Sequence, residues 1–279
     1  MIVVLFIWSG FALTVRAVGA SSLSIADVML IRFSVPLLLL TPWVLSSLNE
    51  IKNIKGSDIT FIMFGGVPFL LLATFGASTA PAAYVGTILT GTPVFFAALL
   101  SFIFYRQRVS LNKFLTFILI FSGVAAMIVG NATSIPNSLL YGVGLLLIAS
   151  LVWAGYTLGL KNTKLSPISV AIVLSYTSLF VTLMMVLSGV LQTNLGDVSF
   201  DDALPFILVQ GVGVGVISTI GFSYAVNKLG SIRSLLLGSL SPGLTALLAA
   251  LILNEPLSIA MICGITLSTI GVILSNRVK

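Results

Sequence analysis

The side chains equipped for chemistry in this chain are aromatic rings, hydroxyls and one isolated arginine, and their chemistry is recognition rather than bond making. Trp8, Tyr84, Trp153, Tyr156, Phe222 and Tyr224 offer ring faces for stacking and cation–π contact, and the indoles and phenols add a hydrogen-bonding handle. For any single Trp or Tyr the competing role is anchoring at the lipid–water boundary. Ser9, Ser78, Thr79 and Thr87, with Thr90 and Asn227 behind them, suit the ammonium and carboxylate of a zwitterion. Their competing role is a bond back to their own helix backbone. Arg32 stands several residues inside an apolar run, where burial of a charge is costly. Two roles stay open for it: pairing with an acid or with helix-end carbonyls, or attracting a carboxylate.

What is missing narrows the chemistry further. The chain has no histidine, and its acids fall near the ends of apolar runs, as at Asp27, Asp58 and Glu255. Neither a Ser/His nor a paired-Asp hydrolytic constellation can be assembled, so an enzyme is not expected. No Gly-rich loop ending in Lys-Ser/Thr is present, which removes that route to nucleotide binding. A single cysteine, Cys263, excludes an internal disulfide and a multi-cysteine metal site, and the sequence asks for no metal and no cofactor. Without an acid or histidine at mid-depth there is no usual proton-coupling group, which favours facilitated movement or exchange of a solute.

The elements that carry these side chains are membrane helices. Of 279 residues, 58% are hydrophobic and 7% charged, where a soluble domain carries about a quarter charged. A globule in water must cover its surface and cannot bury that much apolar side chain. Runs of roughly 20 residues, enough to cross about 30 Å of hydrocarbon, are expected at 2–20, 25–48, 59–80, 82–104, 110–130, 138–160, 168–191, 203–226, 230–253 and 257–276. The first lacks a positive leading segment and reads as a span rather than a cleaved signal peptide. Lys52, Lys55, Arg106, Arg108, Lys113, Lys161, Lys164, Lys228, Arg233, Arg277 and Lys279 fall in alternate loops or at the C-terminus. The positive-inside rule then places both termini in the cytoplasm, which requires an even number of spans. The net charge of +6 is thus a topology signal and not a nucleic-acid footprint. Asn131-Ala132-Thr133 fits a glycosylation sequon, a pattern common by chance.

The chain also resembles itself. Trp8-Ser9-Gly10-Phe11 answers to Trp153-Ala154-Gly155-Tyr156, and Phe61-Ile62, Gly66-Val67 and Gly76 answer to Phe206-Ile207, Gly211-Val212 and Gly221. Pro93 with Ala97-Ala98-Leu99-Leu100 answers to Pro242 with Ala246-Leu247-Leu248-Ala249, and Val109-Ser110 and Gly123-Val124 answer to Leu257-Ser258 and Gly271-Val272. Two five-span halves, 1–132 and 138–279, follow. Five is odd, so the second half enters the membrane from the opposite side, an inverted repeat that in transporters holds substrate near mid-depth. Pro68, Pro93 and Pro242, with Gly91 and Gly243 close by, mark expected helix breaks that gate such a site or simply aid packing.

The ten-span layout, the Trp-Gly start of each half, Arg32-Phe33, Pro93 and Pro242 before small-residue stretches, and the Asn254-Glu255-Pro256 turn resemble the drug/metabolite transporter superfamily, specifically its EamA-type branch. The resemblance covers nearly the whole chain. It departs at Tyr105-Arg106-Gln107-Arg108, where many relatives carry a Glu-containing turn like that of Glu255, so a paired acid is not expected there. Within the branch the sequence is similar overall to bacterial exporters of aromatic and other neutral amino acids. The resemblance implies an all-α, multi-pass protein of the bacterial inner membrane whose partners are the lipid bilayer and an amino-acid substrate, exported by rocking two halves about a central pocket. Trp153, Trp8, Tyr156, Tyr84 and Tyr224 would shape that pocket. A carrier of nucleotide sugars or other metabolites, and a non-transporting scaffold or pore, are the alternatives; the first wants cations at mid-depth, where the sequence offers Arg32. The oligomeric state is left open, and a monomer is compatible with all of this.

Overall fold

Backbone N–H and C=O groups in hydrocarbon find no water to bond, so a chain this apolar satisfies them within helices. The computed structural model describes residues 1–106, 110–130, 136–238 and 240–277, whose regular structure is helical, with no strand among them. Nine helices are long and apolar enough to cross a membrane: Ile2–Ala20, Ile25–Lys52, Gly56–Thr79, Ala82–Tyr105, Leu111–Val129, Asn137–Asn162, Pro167–Leu187, Phe200–Leu229 and Ser231–Ile252. A tenth, Ile259–Arg277, has a shorter apolar stretch. We number them first to tenth. Their outward faces carry Leu38, Leu45, Phe104, Phe180, Leu251 and Ile259, all exposed. So much contiguous apolar surface is sustainable against lipid but not against water.

The expected boundaries lie within a few residues of these, and capping chemistry accounts for the differences. The second helix starts at a capping box, in which Ser24 Oγ accepts from Asp27 N and Asp27 Oδ2 accepts from Ser24 N. Ser199 Oγ accepts from Asp202 N and starts the eighth helix three residues before the apolar run. The expected end of the first half at 132 lies outside the described residues, as do the sequon 131–133, Gln107 and Arg108 of the departing turn, and Lys279.

Four helices are interrupted, and in three of them a proline stands just after the break. The third stops at Gly65–Gly66 and restarts at Val67 with Pro68 in its first turn. The fourth divides into Ala82–Gly91 and Pro93–Tyr105, and the ninth into Ser231–Gly238 and Ser241–Ile252 with Pro242 in the first turn. A proline there loses no intrahelical bond, because the first N–H groups of a helix have no partner anyway. The eighth helix instead widens into a π-helix over Ile207–Ser218. Gly66 and Gly211, matched by sequence, both sit in these interruptions.

Two helix pairs tie the first half of the chain to the second. Asp27, at the start of the second helix, accepts from Thr193 Oγ1 (2.5 Å) and Asn194 N (3.0 Å) beyond the end of the seventh. Glu50, near the end of the second, accepts from Ser166 N (2.8 Å) and Ser169 Oγ (2.6 Å) at the start of the seventh. The fifth and tenth helices meet at glycines. A Cβ on Gly123 would lie 2.3 Å from Ser268 Oγ and 2.5 Å from the Gly264 carbonyl, and one on Gly271 would lie 2.9 Å from Ile120 Cγ1. The sequence match of Gly123 with Gly271 pairs Ile120 with Ser268 at the same spacing, so each glycine faces the other's counterpart. Ser268 Oγ also donates to the Ile120 carbonyl at 3.0 Å.

Gly123→Ala tests this contact, because its new methyl meets the backbone at the Gly264 carbonyl and Ser268 N as well as the Ser268 hydroxyl. We expect overpacking to cost about 1–3 kcal/mol and the thermal midpoint in detergent to fall by roughly 2–10 °C. Gly144→Ala, with open space around it, should leave the midpoint unchanged or slightly raised. Equal melts for the two variants would refute the close approach.

Candidate functional site

Helical spacing puts Trp8, Phe11 and Ala12 on one face of the first helix, at i, i+3 and i+4. That face meets Trp153 from the sixth helix, Phe69 from the third and Phe222 from the eighth. Trp153 is the hub. Its ring centroid lies 4.9 Å from Phe69, 4.9 Å from Tyr156, 5.4 Å from Phe222 in a stacked arrangement, and 5.8 Å from Trp8 edge-on. Trp8 packs on Phe222 at 5.1 Å, and Phe11 stacks on Phe69 at 5.7 Å. The Trp8 indole N–H donates to Ser218 Oγ at 2.8 Å, at the end of the π-helix. The half-buried Trp153 indole makes no such bond among the described residues, which leaves its N–H available.

These rings enclose a cavity lined by Trp8, Phe11, Phe69, Trp153 and Val214 together with Val85, Gly86, Leu89 and Thr90 of the fourth helix. Its volume is ≈ 30 Å³, room for a water or two, whereas small-molecule sites span about 300–1,000 Å³. The rings are therefore closed on one another.

The other expected site residues distribute unevenly. Tyr156 is buried beside Trp153, its ring lying where a Cβ on Gly65 would fall, so the break in the third helix makes room for it. Tyr84 is buried, but its hydroxyl donates to the Met127 carbonyl of the fifth helix instead of turning to the cavity. Thr87 Oγ1 donates to the Ala83 carbonyl, and Ser9 Oγ to the carbonyls of Leu5 and Ser241. Ser78 is exposed and donates to the Phe75 carbonyl, while the buried Thr79 hydroxyl sits against Gly142 without a partner. Tyr224 points outward with Lys228 over its ring at 5.9 Å. Gly91 and Pro93 are buried at the break of the fourth helix and Pro242 at that of the ninth; Pro68 and Gly243 face outward. Phe11, Phe69, Ser218 and Gln210 were not singled out in the sequence. The i+3 spacing from Trp8 marks Phe11; the others depend on which helices meet.

One charge lies against Phe11, a residue of the cavity wall, and others lie near the ends of the helices. Arg32 Nη1 donates to Gln210 Oε1 at 2.9 Å, Gln210 Nε2 donates to Thr14 Oγ1 at 2.7 Å, and the guanidinium lies 5.1 Å from the Phe11 ring centroid. At one end of the protein, Arg16 Nε pairs with Glu255 Oε1 at 2.9 Å, and Arg16 Nη1 donates to the Ala77 and Ser78 carbonyls. Glu255 Oε2 accepts from Ala82 N at 2.8 Å. That tie joins the first helix, the turn between third and fourth, and the turn after the ninth. At the other end, Asn162 Nδ2 donates to the Tyr105 hydroxyl at 2.6 Å and Ser231 Oγ to the Thr157 carbonyl at 3.1 Å. Both ends carry cross-links, one charged and the other neutral, and the neutral ones flank a cavity of ≈ 280 Å³.

Residues 140–277 match the model described as the EamA-like transporter family. No curated protein matches the chain. A solved structure titled "Crystal structure of protein" is similar with a TM-score of 0.66 over 99% of this chain and 94% of its own, at 15% identity, a likeness of fold.

Breaking the charged tie should loosen its end. In a Cys263→Ser background carrying Ala12→Cys at the cavity, Glu255→Gln is expected to speed labelling by a membrane-impermeant maleimide several-fold. An unchanged rate would show that this ion pair does not hold the end shut.

Proposed function

We propose that this chain, whose residues 140–277 match the EamA-like transporter family, exports neutral, aromatic amino acids by alternating access. The family match supports a multi-pass membrane protein that moves small molecules. The observation that carries the substrate reading is the ring cluster around Trp153. An aromatic side chain entering it replaces ring–ring contacts with like contacts, each worth about 0.5–1.5 kcal/mol beyond area burial, and the unpaired Trp153 N–H gives it an acceptor site.

The proposed machine has ten spans in two inverted halves, with both termini in the cytoplasm of a bacterial cell and the chain in the inner membrane. Reciprocal contacts support that symmetry: the start of the second helix holds the chain after the seventh, and the start of the seventh holds the end of the second. The glycine contacts of the fifth and tenth helices are exchanged in the same way. Each half contributes one tryptophan to the cluster and one end tie is charged. Rocking the halves opens the ties alternately, and the interruptions at Gly65–Gly66, Pro93, Pro242 and the π-helix let the lining segments move. A cavity this small, tied at both ends, supports a carrier rather than an open pore. No acid lines it, and the alternation is facilitative or exchange-driven.

In proteoliposomes, Trp153→Ala should abolish saturable phenylalanine uptake while the protein keeps its size-exclusion profile, and Trp153→Phe should retain part of it with a raised KM. Wild-type kinetics in a folded Trp153→Ala variant would remove the ring cluster from the substrate path.

A further inference from the structure

Every charge placed inside the helix bundle has to be accounted for, and one is not. Arg32 is buried at 4% exposure within the second helix. Among the described residues the ion pair is Arg16–Glu255, which lies elsewhere. Asp27, the acid nearest along the same helix, is occupied by Ser24, Thr193 and Asn194. What faces Arg32 is neutral: the Gln210 amide and the Phe11 ring. The hydrogen bonds continue from Gln210 to Thr14 and on to the carbonyls of Gly10 and Phe11, so no anion closes the chain. An arginine kept unneutralised in such a place is expensive.

Its surroundings tell where an anion would come from. Phe11 lies under the guanidinium and also lines the central cavity. Gln210 belongs to the π-helix that contributes Val214 to the same cavity, and such widened helices recur at functional positions. A guanidinium presents a planar fork of five N–H donors, of which one is engaged here, and the fork matches a carboxylate through two parallel bonds. The geometry points to Arg32 as the subsite for the carboxylate of the substrate, with Gln210 as the neutral arm that orients the fork. This deepens the transport reading and rests on it. The substrate side chain lies among Trp8, Phe69 and Trp153. The Phe11 ring, which covers the guanidinium while the cavity is closed, turns aside as the cavity opens. A carboxylate is thereby required of the ligand, and amines that keep the ring but lack the acid are rejected.

The test measures binding to purified protein in detergent by quenching of tryptophan fluorescence, in a Trp43→Phe background so that Trp8 and Trp153 report. Three probes are compared: phenylalanine, phenylpropionate, which keeps the carboxylate without the amine, and phenethylamine, which keeps the amine without the carboxylate. The first two should bind, and phenethylamine should bind at least about ten-fold more weakly, as one lost charge-assisted contact requires. Arg32→Gln should weaken both acids by a similar factor and leave phenethylamine unchanged, which collapses the discrimination. Arg32→Lys, which keeps the charge but not the fork, should fall between, and it carries the test where Arg32→Gln does not fold. Equal binding of all three probes to the starting protein, or discrimination that survives Arg32 substitution, overturns the carboxylate subsite and leaves the aromatic pocket standing. No quenching by any probe overturns the pocket and the subsite together.

Discussion

A backbone in lipid can leave its hydrogen bonds unmade only where something other than water replaces them, and the rest of this structure follows from that constraint. It makes helix the only regular structure among the described residues, and the spans themselves are interrupted at few places. At Gly65–Gly66 the break is bridged by bonds from Gly65 N to the Ile62 carbonyl and Gly66 N to the Met63 carbonyl. At Thr92 the backbone N–H reaches the Ile88 carbonyl, and the side chain meets Ser150 Oγ of the sixth helix at 2.6 Å. The interruptions are therefore satisfied locally, at the places where neighbouring helices approach the aromatic cluster. Segments that must re-form only a few bonds to move sit beside the cavity, while the uninterrupted fifth and tenth helices pack glycine to backbone and resist movement.

The same solvent governs the charges. Ionic groups are few in the chain, and several have a traceable assignment: Asp27 and Glu50 fasten the two ends of the second helix to the seventh, and Arg16 with Glu255 fastens three elements at one end of the bundle. Arg32 differs in that, among the described residues, one of its five N–H donors is engaged, whereas the buried carboxylate of Asp27 accepts from several groups. In the function we propose, the aromatic rings and the arginine divide the work of recognition, rings supplying shape and apolar contact, the guanidinium supplying a demand for negative charge.

Much of this was legible in the sequence, and the reasons are specific. Apolar run length fixes where helices lie, because lipid thickness is a hard ruler, and the tenth helix shows the limit where the run is short. The self-match relates Trp8 to Trp153, and residues related by a repeat have a shared place to meet. Prolines flagged three interruptions, but the π-helix of the eighth helix carries none in its length and was invisible. Tyr224 could not share a face with Phe222, because residues two apart on a helix point to opposite sides; once Phe222 is inside, Tyr224 is out. Tyr84 and Thr87 share a face turned to the fifth helix and to their own backbone, whereas the adjacent Gly86 and Thr90 line the cavity. Gln210 and Phe69 have no local signal, because their role depends on which helices are neighbours.

The most direct test of the account is uptake of labelled tryptophan and threonine by the wild-type protein in proteoliposomes, with and without imposed pH and sodium gradients. The account predicts saturable tryptophan uptake that needs no gradient, with threonine a weaker substrate. Uptake of neither by folded protein would contradict the amino-acid assignment, and accumulation of tryptophan driven only by a pH gradient would contradict the facilitative mechanism.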